Sequence, residues 1–134
     1  MRNVTRDIGG VALAEPINFM STHVESYRQL ADTANLAEVR KTEARLSGEP
    51  RWWIPEASMP GLMSRIENGD IIAATSSIDG LDVAHTGIAV RGDDGVYLMH
   101  APLVGSNVER SETTLDQRIA RIDGQDGIMV ARPL

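Results

Sequence analysis

The chain has 134 residues, of which 42% are hydrophobic and 24% charged, with a formal net charge of −6 and no cysteine. That composition is typical of one globular domain, and no apolar run reaches the length of a membrane-spanning helix. The acidic balance disfavours a nucleic-acid or anionic-membrane surface. The missing cysteines exclude disulfides, thiolate zinc sites and a cysteine nucleophile within these residues.

The first half of the sequence predicts irregular structure followed by helices. Acidic side chains near the start interrupt any apolar stretch, so we expect no export signal there. Residues 16–20 form a short apolar run, either a strand or an extended arm. Apolar spacing predicts a helix from Thr22 to about Ala34. Asn35 is the expected cap of a second helix that stops at Gly48.

Three prolines, at positions 50, 55 and 60, are expected to break regular structure in the segment that follows. That segment contains Trp52 and Trp53, which carry much of the aromatic surface of the chain. Paired tryptophan rings either stack on a ligand or anchor a loop onto the core. The sequence does not decide between these two roles.

The second half changes to the two-residue period of strands. Apolar runs at residues 71–75, 86–90, 96–100 and 127–132 predict four strands. Residues 113–122 predict one helix, in which Thr114 and Gln117 have the spacing of a capping box. These elements predict a single α+β domain over residues 1–134. Residues 1–68 are expected to be mostly helical or irregular, and residues 69–134 to form a small antiparallel sheet with helices packed on it.

Two of the three histidines lie on neighbouring predicted strands. His85 opens one strand and His100 closes the next, and the loop at Gly92–Gly95 carries an Asp-Gly hairpin signal. Because strand side chains alternate with period two, an even loop length places both imidazoles on one face of the sheet. Arg91 pairs with Val96 in one such register, and a register shifted by two residues keeps the histidines together as well.

Small residues, Gly87 and Ala89, share the face of the two histidines and leave room for another element. A pair of imidazoles at such a face has three common uses. In the first, one imidazole is a base and the other orients it. In the second, both ligate a metal ion together with Asp82 or Asp70. In the third, the two form a hydrogen-bonded structural pair. The spacing leaves all three open. His23, near a predicted helix start, has no evident partner, and we expect a surface or capping role for it.

Acidic residues outnumber basic ones between residues 67 and 94, where Arg91 is the single cation. This excess predicts either a solvated surface that aids solubility or a surface for a neutral or amine-bearing ligand. Asp82, three residues before His85, is the candidate substrate-binding residue in this region. Capping of the adjacent turn is its alternative role.

Several motifs carry a family resemblance: GDII at 69–72, GLDVAHTGIAV at 80–90, YLMHA at 97–101 and GIMVARP at 127–133. They resemble the C-terminal half of the amidase-like branch of the NlpC/P60 cysteine peptidases, described as N-acetylmuramoyl-L-alanine amidase-like. Upstream, VTRDIGG, PINFMSTH and WIPEASMP are similar to the same branch. The resemblance implies a papain-like fold, cleavage of peptidoglycan amide bonds, no cofactor and no metal. It also implies a place in the cell envelope, although the chain itself indicates no compartment.

In that family a cysteine at a helix N-terminus attacks the substrate, a histidine accepts its proton, and a third polar residue holds the histidine. The resemblance assigns the base to His85 and the orienting role to His100, and it matches Gly69-Asp70 to the Gly-Asp pair that opens a strand. We expect a structural role for this pair, because a turn before a buried strand explains it without chemistry. The cysteine has no counterpart here, so the resemblance implies the C-terminal portion of a domain. Such a portion is inactive until a cysteine-bearing segment joins it. A non-catalytic muropeptide-binding module and a His/Asp metal-dependent hydrolase are the alternatives.

A half-domain of this kind leaves the face of His85, Gly87 and Ala89 exposed as an apolar groove. Monomeric proteins rarely expose a large apolar patch. We therefore expect the chain to self-associate through this face, or to bind a partner segment that covers it, in addition to binding peptidoglycan fragments. Alternatively, the chain's own arm around Pro16–Met20 folds over the groove.

Overall fold

The structure, a computed structural model, describes residues 1–105 and 107–134. Across these residues the strands form one antiparallel sheet in the order β2-β3-β8-β4-β5-β6-β7, with β1 beside β8. The strands are β1 (Arg2–Asn3), β2 (Val11–Leu13), β3 (Arg51–Pro55), β4 (Ile71–Ser76), β5 (Val83–Arg91), β6 (Val96–His100), β7 (Glu109–Arg110) and β8 (Gln125–Arg132).

Helices pack against this sheet, so the predicted α+β class is confirmed. They are α1 (Thr5–Ile8), α2 (Phe19–Thr22), α3 (Thr33–Gly48), α4 (Met59–Leu62) and α5 (Leu115–Arg121). Short 3-10 turns accompany them at Val24–Ser26, Arg28–Ala31, Glu56–Ser58 and Met63–Arg65. Within the described ranges, no helix has both the length and the apolar character needed to span a bilayer.

The buried core lies between one face of the sheet and the helices. Alternate side chains of the central strands supply one side of this core, because successive strand residues point to opposite faces. The segment around α4 and the helix α5 supply the other side. The core residues are Ile54, Ile72, Ala74, Ala89, Val96, Leu98, Ile128 and Val130 from the sheet, with Val4, Ile8, Met59, Met63, Ile66, Leu115 and Ile119 from elsewhere.

The apolar groove expected along His85, Gly87 and Ala89 is largely filled in the structure. Ala89 is 1% exposed and belongs to the buried core. A Cβ added to Gly87 would lie 2.6 Å from Leu98 Cδ1, so Leu98 occupies the space that the glycine leaves. That expectation is therefore wrong for most of the face, because the chain's own core covers it.

The arm at residues 16–20 docks on the turn before β5 rather than over Ala89. The backbone N–H groups of Asn18 and Phe19 both donate to the carbonyl of Gly80, each at 3.1 Å. The exposed apolar row of the sheet lies on the opposite face. Its register neighbours Ile71, Ile88 and Met99 are 36–40% exposed. Self-association stays a prediction, and this opposite face is one apolar surface that is exposed for it.

The helix predicted from Thr22 to Ala34 is not formed. α2 ends at Thr22, and two separate 3-10 turns follow it. Tyr27, between those turns, has extended backbone with φ −129° and ψ 98°, which interrupts the hydrogen-bond ladder of a helix. The apolar spacing of this segment therefore belongs to two turns packed near α3.

The start of α3 also differs from the prediction. Asp32, not Asn35, is its cap, because the Asp32 carboxylate accepts a hydrogen bond from the N–H of Ala34 at 2.8 Å. The predicted stop at Gly48 is confirmed. In α5, Thr114 is the N-cap residue but makes no side-chain capping bond, so the predicted capping box is wrong.

The sheet contains more strands than the sequence predicts. β1, β2 and β7 have two or three residues each, too few for a two-residue period to be recognised. β3 is the larger error, since prolines predict broken structure there. Pro50 precedes this strand and Pro55 ends it, so neither removes an N–H from the strand interior.

Asp70 fastens one end of β4 to the neighbouring strand β8. The side chain is buried, and its two oxygens accept hydrogen bonds from Nε and Nη2 of Arg132, both at 2.8 Å. The N–H of Glu67 donates to the same carboxylate at 2.8 Å. Burial alone raises the pKa of Asp70. The hydrogen bonds from Arg132 and from the N–H of Glu67, together with the charge of Arg132, outweigh burial and hold that pKa below its ordinary value. This geometry agrees with the structural role expected for Gly69-Asp70.

Candidate functional site

The two histidines meet on one face of the β5–β6 hairpin. Arg91 lies opposite Val96, which is the first of the two registers considered. His85 Nε2 and His100 Nδ1 are 2.8 Å apart, and the ring planes cross at 88°. The predicted shared face and shared hydrogen bond are therefore confirmed.

A cleft of about 550 Å³ opens beside the two rings. Its walls come from the start of β5, the end of β6, the strand β7, the end of α5 and the start of β8. We call it the imidazole cleft. Its polar and charged lining includes His85, His100, Glu109, Glu112, Arg118 and Gln125.

The two rings differ in their surroundings. His100 is 5% exposed, whereas His85 is only partly buried and keeps its Nδ1 without a hydrogen-bond partner among the described residues. Glu109 lies opposite His100 in the β6–β7 pairing and places Oε1 3.9 Å from His100 Nε2. A line of polar groups thus runs from the Glu109 carboxylate through His100 to His85.

Burial and a nearby cation keep both imidazoles neutral. Desolvation, followed by the positive charge of Arg118, lowers the pKa of His85 below its ordinary value. Desolvation, Arg118 and the neighbouring His85 lower the pKa of His100, and Glu109 partly opposes that shift. A neutral imidazole keeps a lone pair that can accept a proton. The site therefore has the electrostatics of a base at neutral pH.

Arg118 and Gln125 are polar residues of the cleft that the sequence did not single out. The Nε of Arg118 and the Oε1 of Gln125 are buried and have no hydrogen-bond partner in the described part of the chain. A signal for Arg118 exists in the sequence. It lies three residues after Leu115 and next to Ile119, both buried, so a cation occupies the apolar side of α5.

Asp82 does not join the two histidines. Its carboxylate is hydrogen-bonded to Arg51, and both side chains are mostly buried. It lines a different groove of about 550 Å³ beneath α3, whose other walls are mainly apolar. A substrate amine at Asp82 would share the carboxylate with Arg51, and a substrate role for Asp82 stays a prediction.

Among the described residues, no third side chain completes a metal centre at the two histidines. Asp82 is paired with Arg51, and Asp70 with Arg132. No group of three or more His, Asp or Glu side chains suited to a metal ion occurs among residues 1–105 and 107–134. The metal-dependent hydrolase alternative therefore lacks an aspartate ligand, since both candidate aspartates are paired with arginines.

The remaining aromatic candidates lie away from the imidazole cleft. His23 follows α2, stacks on Phe19 at a centroid distance of 4.0 Å, and places Nδ1 2.9 Å from the Phe19 carbonyl oxygen. This position fits the capping role expected for it. Trp52 and Trp53 lie in β3 opposite Ala12 and Val11, and both are half-buried. They are strand residues rather than members of a loop.

Comparisons with known proteins agree with the resemblance at the level of the amidase-like family. The family described as AmiA-like, N-acetylmuramoyl-L-alanine amidase-like, matches residues 1–127. No curated protein matches the chain. The wider NlpC/P60 grouping and the papain-like fold stay predictions.

Solved structures resemble the whole described fold. An N-acetylmuramoyl-L-alanine amidase from Bacteroides uniformis ATCC 8492 is 36% identical with a TM-score of 0.89, and the match covers 98% of this chain and 56% of that chain. A Bacteroides fragilis protein provisionally described as a xylanase is 34% identical with a TM-score of 0.86, covering 96% and 57% of the two chains. The present chain thus spans a little more than half the length of these proteins.

Proposed function

We propose, from the premise that this chain belongs to the AmiA-like, N-acetylmuramoyl-L-alanine amidase-like family, that it is the base-bearing portion of a muropeptide amide hydrolase. His85 is the general base, and His100 holds it in the reactive orientation. The observation that carries the proposal is the 2.8 Å contact between His85 Nε2 and His100 Nδ1 beside a cleft. The attacking cysteine comes from polypeptide outside these 134 residues.

The contact between the rings supports His85 Nδ1 as the nitrogen that acts as the base. One of the two nitrogens in contact must donate and the other must accept. When His85 Nε2 donates, His85 Nδ1 keeps its lone pair and has no competing partner among residues 1–105 and 107–134. His100 then carries its own hydrogen on Nε2, the atom 3.9 Å from Glu109 Oε1, so the carboxylate favours this tautomer.

The proposed reaction uses His85 twice. His85 Nδ1 accepts the proton of the incoming cysteine thiol, and the thiolate attacks the carbonyl carbon of the amide. The resulting imidazolium donates that proton to the departing amine as the C–N bond breaks, which leaves a thioester. A water molecule, deprotonated by the same nitrogen, then hydrolyses the thioester and regenerates the thiol.

The hydroxyl groups of Ser111 and Ser76 do not supply the nucleophile in this proposal. Ser111 lines the imidazole cleft, but its hydroxyl donates to the carbonyl of Thr113 at 2.8 Å and accepts from the N–H of Leu98 at 3.0 Å. Ser76 accepts a bond from the N–H of Ile78 at 3.0 Å. A serine hydroxyl also needs more activation than a thiol. We therefore expect no hydrolysis by the chain alone.

An experiment in two parts tests the proposal. In the first, the 134-residue chain is mixed with N-acetylmuramoyl-L-alanyl peptides, and we expect the imidazole NMR signals of His85 and His100 to shift without any cleavage. In the second, the chain is fused to the portion of the Bacteroides uniformis amidase that lies outside the aligned region. Cleavage is expected to appear in the fusion and to be lost with His85→Gln.

Three outcomes would contradict parts of this proposal. Cleavage by the chain alone that survives chelation would overturn the nucleophile argument. A fusion that binds muropeptide but does not cleave it would favour the second candidate, a non-catalytic muropeptide-binding module. Cleavage of xylo-oligosaccharides, included as a control because of the name of the Bacteroides fragilis relative, would favour glycoside chemistry instead.

A further inference from the structure

We infer that Arg118 and Gln125 form a subsite for a free carboxylate that lies next to an amide N–H. The imidazole cleft would then select an acidic peptide as its ligand. This inference rests on the proposed function only in assigning the ligand to the cleft of His85 and His100. The subsite itself is argued from unpaired polar groups.

Arg118 differs from the other partly buried arginines of the molecule. Arg132 is paired with Asp70 and Glu67, and Arg51 is paired with Asp82. Arg118 is partly buried as well, yet no carboxylate of the described residues lies within 4.0 Å of it. The Nε atoms of Arg118 and of Arg51 are both buried without a partner, so the missing counter-ion is the feature that distinguishes Arg118. Removing a guanidinium from water without a counter-ion is costly. A bound carboxylate would supply that counter-ion with the geometry that arginine favours.

Gln125 indicates that the ligand also carries a hydrogen-bond donor. Its Oε1 is a buried acceptor without a partner, in the same lining as Arg118. A buried acceptor of this kind is stabilised by a hydrogen bond from a donor such as an amide N–H. Carboxylate and N–H are neighbours in any acylated amino acid with a free α-carboxylate. A muropeptide contains such a unit at its C-terminal residue and another within the peptide, at the glutamate that is linked onward through its side-chain carboxyl.

The other charges of the cleft confine an anion to Arg118. Glu109 and Glu112 also line the cleft and repel a carboxylate elsewhere in it. A carboxylate at Arg118 would also offset the cation that disfavours protonation of both histidines. Ligand binding and proton acceptance at His85 are therefore coupled through Arg118.

Binding measurements on the 134-residue chain test the subsite without any need for catalysis. The probes are two N-acetylmuramoyl tripeptide amides that differ only at the second residue, which has a free α-carboxylate in one and an α-carboxamide in the other. We expect the carboxylate form to bind roughly ten- to a hundredfold more tightly, the range for one hydrogen bond to a charged group. It is also expected to shift the Nε–H NMR signal of Arg118.

Variants assign this preference to the proposed residues. Arg118→Met is expected to abolish the preference and Arg118→Lys to retain part of it. Gln125→Leu is expected to weaken both probes. Arg121→Met is the matched control, since Arg121 lies on the same helix but is exposed, and it should leave the preference unchanged.

The outcomes separate this inference from the proposed function. Equal binding of the two probes, a preference that survives Arg118→Met, or no binding of either probe at millimolar concentration would overturn the subsite. Cleavage by the fusion could still be observed in each of these cases. Conversely, a preference that depends on Arg118, in a fusion that never cleaves, would support the subsite while the hydrolase proposal fails.

Discussion

The polar side chains at the two ends of strands β4, β5 and β8 differ in whether they have hydrogen-bond partners. At one end, Asp70 and Arg132 satisfy each other through two hydrogen bonds of 2.8 Å. At the other end, His85 lies opposite Ala74, and Gln125 lies opposite Ser76. There a cleft opens, and polar atoms of Gln125 and of the nearby Arg118 have no partner in the described part of the chain.

This difference separates groups that hold the fold from groups that are available for a ligand. A buried polar group without a partner costs stability. Natural proteins keep such groups chiefly where function requires them. We therefore assign the Asp70 end a structural role and the His85 end a chemical one. Changes at the two ends should therefore have different consequences for stability and for activity.

The largest effect is expected from His85→Gln in the cysteine-supplied fusion. Loss of a general base lowers activity by roughly 10²- to 10⁴-fold, while the free energy of unfolding should change little because His85 is only partly buried. Muropeptide turnover and urea unfolding of the same preparation measure both quantities. His23→Gln is the control, since His23 follows α2, away from the imidazole cleft, and should leave turnover intact. A variant that loses activity only in proportion to its stability would remove the distinction between the two ends.

Asp70→Asn is expected to show the opposite behaviour. The substitution leaves Arg132 without its buried carboxylate, and breaking a buried ion pair costs about 3 kcal/mol of unfolding free energy. The residual folded protein should bind muropeptide with unchanged affinity. Asp79→Asn is the matched control, because Asp79 is exposed and its loss should fall within about 0.5 kcal/mol. A loss of ligand affinity without a loss of stability would argue against the structural role.

Titrating groups at the two ends should affect the free energy of unfolding in two separate pH ranges. Both histidines have a lowered pKa in the folded protein, so the unfolded chain takes up protons first as the pH falls below about 6.5. Their contribution is present above that pH and is lost as the pH falls toward the folded values. Asp70 also has a lowered pKa, and its contribution is present above about pH 4 and lost below it.

Urea unfolding between pH 8 and pH 3 would resolve these two losses. Removing both imidazoles, by His85→Gln with His100→Gln, should flatten the upper region, and Asp70→Asn should flatten the lower one. The slope contributed by one titrating group cannot exceed about 1.4 kcal/mol per pH unit. Stability that rises on acidification from pH 7 to pH 5 would contradict the lowered pKa of the histidines.

Sequence patterns predicted the His85 end better than the Asp70 end. The alternation in β5 and β6 and the loop at Gly92–Gly95 are local features, and they were enough to place the two imidazoles on one face. The partner of Asp70 lies 62 residues away in the sequence, and Arg51 lies 31 residues from Asp82. No local period encodes such pairs. The acidic excess between residues 67 and 94 therefore suggested an amine-binding surface, although arginines from β3 and β8 neutralise part of it.

Backbone features that depend on distant contacts were missed for the same reason. β3 forms because β2 and β8 lie on either side of it, despite the prolines at its limits. Segment 22–34 has helical spacing but folds as turns near α3. Tertiary contacts override local propensity in both cases. The role of Arg118 could have been suspected from its place among apolar residues of α5, but its lack of a partner is visible only in three dimensions.

The smallest effect is expected from Glu109→Gln. Glu109 is a positioning residue in our proposal, since it lies 3.9 Å from His100 and its side chain is 57% exposed. Because His100 is neutral, its contact with Glu109 is weaker than an exposed ion pair, which contributes about 0.2–1 kcal/mol. Turnover by the fusion should therefore fall by no more than roughly fivefold. The carboxylate raises the pKa of His100, and its loss should move the acid limb of the kcat/KM profile to lower pH.

Glu112→Gln is the matched control, because Glu112 lines the same cleft but is not paired with His100. If Glu109 has only a structural role, its substitution would change stability and leave the acid limb in place. If both variants shift the acid limb equally, the general charge of the cleft, rather than the line of polar groups from Glu109 to His85, sets the pKa of the base.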